Sequence, residues 1–214
     1  WFQGLRIEGI QIPSLGGNFS SISFSNGLSL IFTIIWIVGL INAINWMDGL
    51  DGLATGLTLI PSLFFIPLSF SINNFNSCIL AAILSGCCLG FLKYNFYPAK
   101  ILMGDGGSYF LGYLLAVMSL MIFNLPIENV STNYFYIFIP FLLLSVPLLD
   151  MTNVILVRLI RGDSPFYPDR SHLHHRLIDR GLSTPAVVLT VYAISILFSL
   201  NSPFIMSNYL SFIN

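Results

Sequence analysis

The stretch LSLIFTIIWIVGLINAINWMDGLDG, residues 28–52, decides how this chain is read. Its first seventeen residues, 28–44, are almost wholly apolar, and a helix needs about 20 such residues to cross the hydrocarbon core of a bilayer. The run then ends abruptly in Asn42, Asn45, Asp48 and Asp51, spaced three apart and interleaved with Gly49 and Gly52. Polar residues at the mouth of an apolar span are costly unless they face protein or water; a helix terminus carrying caps is the plainer alternative, but two carboxylates and two carboxamides in ten residues favour a site at the membrane surface. If the helix continues through them, neighbouring members of the series share a face.

Working outward, the whole chain repeats this character. It is 56% hydrophobic and only 8% charged, with a mean hydropathy of +0.85. Soluble domains carry about 25% charged residues, so the composition excludes a water-soluble globule and predicts an all-α integral membrane protein. Six apolar runs qualify as spans: 28–44, 53–72, 77–92, 107–125, 134–156 and 186–200. Pro61, Pro67, Pro140 and Pro147 are expected to kink the second and fifth. Residues 1–27, alternating and glycine-containing, read as an extracytoplasmic loop or small hairpin ahead of the transmembrane domain, 28–214. Cys78, Cys87 and Cys88 lie inside one apolar run and read as small fillers. No basic n-region followed by a short apolar core is visible ahead of the first span.

Six crossings sort the connections into two sets. Seven of the eight basic residues, Lys93, Lys100, Arg158, Arg161, Arg170, Arg176 and Arg180, fall in the same set, and only Arg6 falls in the other. The positive-inside rule places that set in the cytoplasm. Asp48, Asp51, Asp105, Asp163, Asp169 and Asp179 lie there too, with Asp150 near the cytoplasmic end of the fifth span. Charges that merely anchor helices would divide between both faces, whereas these gather on one.

Two further segments reach the same face. In Tyr94-Asn95-Phe-Tyr-Pro-Ala-Lys100-Ile-Leu-Met-Gly104-Asp105-Gly106-Gly107-Ser108, a carboxylate sits among three glycines where the fourth span begins. Backbone N–H groups at such a helix start suit phosphate, and a neighbouring carboxylate suits Mg²⁺, which takes one or two protein oxygens together with substrate oxygens; capping of the helix by Asp105 is the plainer alternative. Pro165-Phe-Tyr-Pro-Asp169-Arg170-Ser-His172-Leu-His174-His175-Arg176 holds all three histidines of the chain. It lacks the Cys or carboxylate partners of common zinc modules. Arginine forks and imidazole N–H groups suit anionic oxygens instead, although a basic loop lying on anionic headgroups is another use of such a segment. Carboxylates, glycines and a His/Arg cluster on one face describe a phosphoryl-transfer site.

These three segments, in this order, resemble the polyprenyl-phosphate N-acetylhexosamine-1-phosphate transferases, relatives of the phospho-MurNAc-pentapeptide translocase. The His-x-His-His pattern is most similar to the branch that initiates O-antigen, teichoic-acid or related envelope glycans. The resemblance runs from about residue 28 to 186. It implies a glycosyl-1-phosphate transferase that moves a sugar 1-phosphate from a UDP-sugar to polyprenyl phosphate and releases UMP, in the bacterial cytoplasmic membrane with its site on the cytoplasmic face. It implies Mg²⁺, or Mn²⁺ in its place, on Asp105 and Asn45. Asp48 and Asp51 would line the nucleotide-sugar pocket, and Asp48, Asp51, Asp105, His172, His174 and His175 form the expected catalytic set. Asn42, Asn95, Lys100, Gly104, Arg170 and Arg176 are the expected substrate contacts, with Asn95 near the nucleoside. A homodimer is compatible with the family, and no nucleic-acid partner is expected. Members also carry an adjacent Asp-Asp pair in an earlier loop and about four further spans, neither of which this chain contains, so the resemblance implies a C-terminal portion. The rival readings are a transporter of anionic or sugar substrates, which would place its polar groups at mid-span, and an inactive fragment.

Overall fold

The computed structural model describes residues 5–13, 19–123, 138–165, 167 and 170–202. A two-stranded antiparallel hairpin, β1 (Gly9–Pro13) and β2 (Phe19–Ser23), pairs Gly9 with Ser23 and Pro13 with Phe19. It is tied to the first helix, where the Ile7 amide donates to Thr33 Oγ1 at 3.0 Å.

Among the described residues eight helices follow: α1 (Asn26–Met47), α2 (Leu53–Ser71), α3 (Phe75–Asn95), α4 (Gly104–Phe123), α5 (Ile139–Leu143), α6 (Ser145–Ile160), α7 (Leu173–Asp179) and α8 (Thr184–Ser199). Four of them, α1 to α4, are long and apolar enough to cross a membrane, and α8 is a shorter apolar helix of 16 residues. The chain is thus a multi-pass, all-helical membrane protein with a hairpin at its start. The described part of the fifth expected span falls in α5 and α6, which part at Leu144, while its residues 134–137 lie outside the described residues. Pro147 explains the break, since it offers no N–H to the Leu143 carbonyl and its ring crowds that oxygen. The second expected kink is not accompanied by a break: α2 runs unbroken through Pro61 and Pro67.

Helix α2 is the centre of the bundle. Its most apolar window is 72% buried, against 28% for α1 and for α3. It packs along α3 and also meets α1, α4, α5 and α8, while α1 packs along α4 and α6. Its side chains suit that crowding, because Thr58 and Ser62 fold their hydroxyls back onto the Ala54 and Thr58 carbonyls. Small residues let backbones approach where hydrophobicity gives helices no preference for one another over lipid. At the α1–α4 contact a helix glycine meets backbone: a Cβ at Gly112 would lie 2.7 Å from Ile41 Cα. Farther along the same pair, Trp36 Nε1 donates to Ser119 Oγ at 2.8 Å, and its ring meets Phe123 and Phe141 edge-on.

Packing α1 against α4 and α2 against α3 brings three chain ends together: the α1–α2 turn, the α3–α4 connection and the start of α4. The polar residues of the first two sequence segments collect there.

Candidate active site

Helix α1 stops at Met47, so the three-residue polar series is not one helical face. Asn45 lies in its last turn, Asp48 is the C-cap, and Asp51 belongs to the turn before α2. Gly52 closes that turn at φ 80°, a left-handed conformation that glycine adopts without steric cost. Asn42 is drawn off the site, its Nδ2 donating to Val38 O at 2.7 Å.

Asn45 reaches from α1 to the start of α4. Its Nδ2 donates to Asp105 Oδ1 at 3.1 Å and to Ser108 Oγ at 3.0 Å, while Ser108 Oγ donates to the Asp105 carbonyl at 3.1 Å. Asp105 lies one residue inside α4, after Gly104 at φ 68°, so it is a first-turn carboxylate rather than the cap. The helix dipole favours negative charge there. Asp48 faces it across the gap. Burial, and secondarily the Asp105 charge, raise the Asp48 carboxyl from 3.8 to about 6.

The opposite wall is set by Asp51 and Asn95. Asp51 Oδ2 accepts the Ala99 amide at 2.9 Å and holds the turn after the cis Tyr97–Pro98 bond. Asn95 is buried: its Oδ1 accepts from Thr55 at 2.6 Å and its Nδ2 donates to Ile101 O at 3.0 Å. Asn95 therefore shapes the pocket with most of its polar capacity already used. Together, Asp48, Asp51, Asn95, Met103, Gly104 and Asp105 are among the residues lining a cavity of about 320 Å³.

The histidine segment docks beside this cavity. His172 precedes α7, and its Nδ1 lies 2.7 Å from Asp150 Oδ2. His174 is 1% exposed and presses on the α1–α2 turn, where a Cβ at Gly49 would come 2.6 Å from its Nε2. Its Nδ1 is buried without a hydrogen-bond partner among the described residues. Burial, then the neighbouring His175 and His172, lower His174 from 6.5 to about 4, and burial with the Arg170 charge lowers His175 as well. Both are neutral imidazoles at pH 7. The expected cationic contacts stand apart from the lining: Arg170 is exposed and pairs with Asp179 at 2.8 Å, and Lys100 and Arg176 are exposed.

Four residues outside the expected set support the site. Ser108 and Thr55 hold Asn45 and Asn95, and Asp150 with Trp46 holds His172. Only Asp150 carried a sequence signal, as an ionisable residue inside an apolar run.

Among the described residues, no three His, Cys, Asp or Glu side chains come together as a metal cage. The donor set is one of hard oxygens, two carboxylates and one carboxamide, which fits a cation that completes its shell with water and substrate oxygens.

Fold and site together define a multi-pass membrane protein with an acidic, oxygen-rich pocket at the ends of its spans. The chain belongs to glycosyl transferase family 4, whose family model matches residues 2–123. It is 38% identical over 200 residues to a probable undecaprenyl-phosphate N-acetylglucosaminyl 1-phosphate transferase of Bacillus subtilis (strain 168), covering 93% of this chain and 53% of that protein. A decaprenyl-phosphate N-acetylglucosaminephosphotransferase of Mycobacterium tuberculosis (strain ATCC 25618 / H37Rv) is 37% identical over 190 residues, 82% of this chain and 47% of its own. A phospho-N-acetylmuramoyl-pentapeptide-transferase of Clostridium novyi (strain NT) is 41% identical over 86 residues, 40% of this chain and 26% of its own. The chain spans about half the length of the first two relatives.

Proposed function

We propose that the protein to which this chain belongs transfers an N-acetylhexosamine 1-phosphate from a UDP-sugar to a polyprenyl phosphate, at the cytoplasmic face of the bacterial inner membrane. The observation that carries this reading is the meeting of Asn45, Asp48 and Asp105 at one end of the cavity, with the histidine segment against Gly49 beside it. The names of the relatives supply the substrate class.

In the reaction, an oxygen of the lipid phosphate attacks the sugar-bearing phosphorus. A new P–O bond forms, the bond to the bridging oxygen breaks, and UMP leaves with that oxygen. Asp105 and the Asn45 carboxamide would hold Mg²⁺, which when bound neutralises phosphate charge in the transition state. The α4 start and its glycines would receive phosphate oxygens. Asp51 and Asn95 keep the 96–103 connection in place as the far wall of the pocket. His174, neutral and buried, packs the pocket turn, which leaves His172 and His175 as the ring donors or acceptors nearest the site.

The test uses membranes from cells expressing the complete open reading frame that encodes this chain. Incubation with radiolabelled UDP-N-acetylglucosamine and undecaprenyl phosphate should move label into organic-extractable lipid, and chelation of divalent cations should stop it. No lipid-dependent transfer from any UDP-N-acetylhexosamine by a folded protein would refute the proposal.

A further inference from the structure

Asp150 is a charged side chain on an apolar helix, only 2% exposed, and the reaction as written does not use it. Its two oxygens are both committed to consecutive residues of the histidine segment. Oδ2 lies 2.7 Å from His172 Nδ1, and Oδ1 accepts the Leu173 amide at 2.6 Å. The same carboxylate thus fixes the His172 ring and the first amide of α7. A carboxylate can only accept, so the ring nitrogen facing it carries the proton.

The rest of the ring's surroundings hold it in that orientation. Trp46, in the last turn of α1, meets His172 edge-on with centroids 5.6 Å apart. Trp46 is itself backed by the Arg158 guanidinium, 5.1 Å from its ring centre. Arg158 is buried, and its Nη1 donates to Pro165 O at 2.6 Å, which pins the chain leading into the histidine segment. His174 stacks on the third side at 5.5 Å and His175 lies 6.4 Å away. Helices α1, α6 and α7 therefore converge on one imidazole.

We infer that Asp150 is the positioning residue of His172: it keeps the proton on Nδ1 and makes Nε2 the single atom at which this ring accepts a hydrogen bond or takes up and releases a proton. The chemistry follows from the pairing. With Nδ1–H held by the carboxylate in both the neutral and the charged ring, only Nε2 changes state. An imidazolium formed during transfer is stabilised by the same carboxylate. Paired carboxylate and imidazole work this way wherever a histidine must exchange a proton at one defined nitrogen. The activity consequence rests on the transferase reading, whereas the tautomer does not.

The experiment takes the full encoded protein in detergent with ¹⁵N-labelled histidine, the His172 signals being identified by their loss in His172→Gln. At pH 8 the wild type should show a protonated Nδ1 and an unprotonated Nε2. Asp150→Asn, of equal size but with a donor where one oxygen stood, should shift His172 toward the opposite tautomer, and Asp150→Glu should restore the original. In the transfer assay, Asp150→Asn should lower kcat about 100-fold or more while KM for the UDP-sugar stays within about threefold, the pattern of a group acting in the transition state. A wild-type His172 protonated at Nε2 and bare at Nδ1 would overturn the inference, and that result needs no variant to fold. So would an Asp150→Asn protein with wild-type tautomer and kcat, or one whose losses come with an unchanged tautomer. An inactive wild type would sink the transferase reading and leave the tautomer result to decide this one.

Discussion

At the scale of single residues, the site depends on side chains held by one or two bonds each, so small changes should have large and distinguishable effects. Gly49 admits the His174 ring because it has no Cβ, and His174 is too buried to step aside. Gly49→Ala should lower the stability of the protein in detergent by about 1–3 kcal/mol, the usual result of forcing an extra methyl into a packed contact; a melting curve checks it. Thr55→Val removes the donor to Asn95 Oδ1 and leaves a buried acceptor unpaired. The expected cost is about 1–3 kcal/mol, with the 96–103 connection loosened enough to be cut sooner in limited proteolysis. His174 gives a signed prediction for acid. Its pKa lies near 4 in the folded chain and near 6.5 unfolded. Between those values the unfolded chain binds the extra proton, so stability falls as pH drops from about 6.5 toward 4 and is fully recovered above 6.5. Asp48, raised to about 6, acts in the opposite direction, because its folded form holds its proton longer. The comparison of wild type with His174→Gln therefore isolates the histidine, and the variant should lose less stability between pH 7 and pH 5.

At the scale of helices, geometry at the α1–α4 contact decides whether Asn45 can reach Asp105. Gly112 sits where a Cβ would press into the Ile41 backbone, which cannot rotate away as a side chain could. Gly112→Val should push the two helices apart and cost both stability and activity, whereas Gly86→Val on α3, where a Cβ meets nothing within 4 Å, should be tolerated. Helices α1 to α4 were legible in the sequence because each is an apolar run of membrane length with a polar end. What the runs could not reveal was where a helix stops. If the helix continued, neighbours among Asn42, Asn45, Asp48 and Asp51 would share a face, yet α1 ends at Met47 and two of the four carry on into a turn. Their spacing fits a helix and a turn equally well, and only the left-handed Gly52 separates them. The α5–α6 break is the converse case, since Pro147 announces it but the apolar composition runs straight through.

At the scale of the whole molecule, three sequence segments far apart in the chain were expected on one face, and the bundle places them around one cavity and against its rim. That part was legible because charge in a membrane protein is confined by cost, so its location reports topology. Asp48, Asp51, Asn95 and Asp105 were legible as site residues and line the cavity, whereas the cationic contacts were not. Lys100, Arg170 and Arg176 have the right chemistry and local position but point into solvent or to Asp179, while Asp150, 22 residues from His172, is its closest partner. Long-range partners depend on how α6 lies against α1 and α7, and no local pattern encodes that. The bundle also predicts how divalent cations should act on it. If Asn45 and Asp105 hold Mg²⁺ with Asp48 nearby, adding the ion should raise the melting temperature of the wild type and leave Asp105→Asn unmoved.

The most direct test of the central claim compares UMP release by the full encoded protein, at matched expression, with release by Asp105→Asn and by Asp163→Asn, a carboxylate outside the cavity lining. Release should require both undecaprenyl phosphate and Mg²⁺, fall about 100-fold or more in Asp105→Asn, and stay near the wild-type rate in Asp163→Asn. Undiminished release from Asp105→Asn would contradict the claim, because the cavity at the start of α4 would then not be where the chemistry occurs.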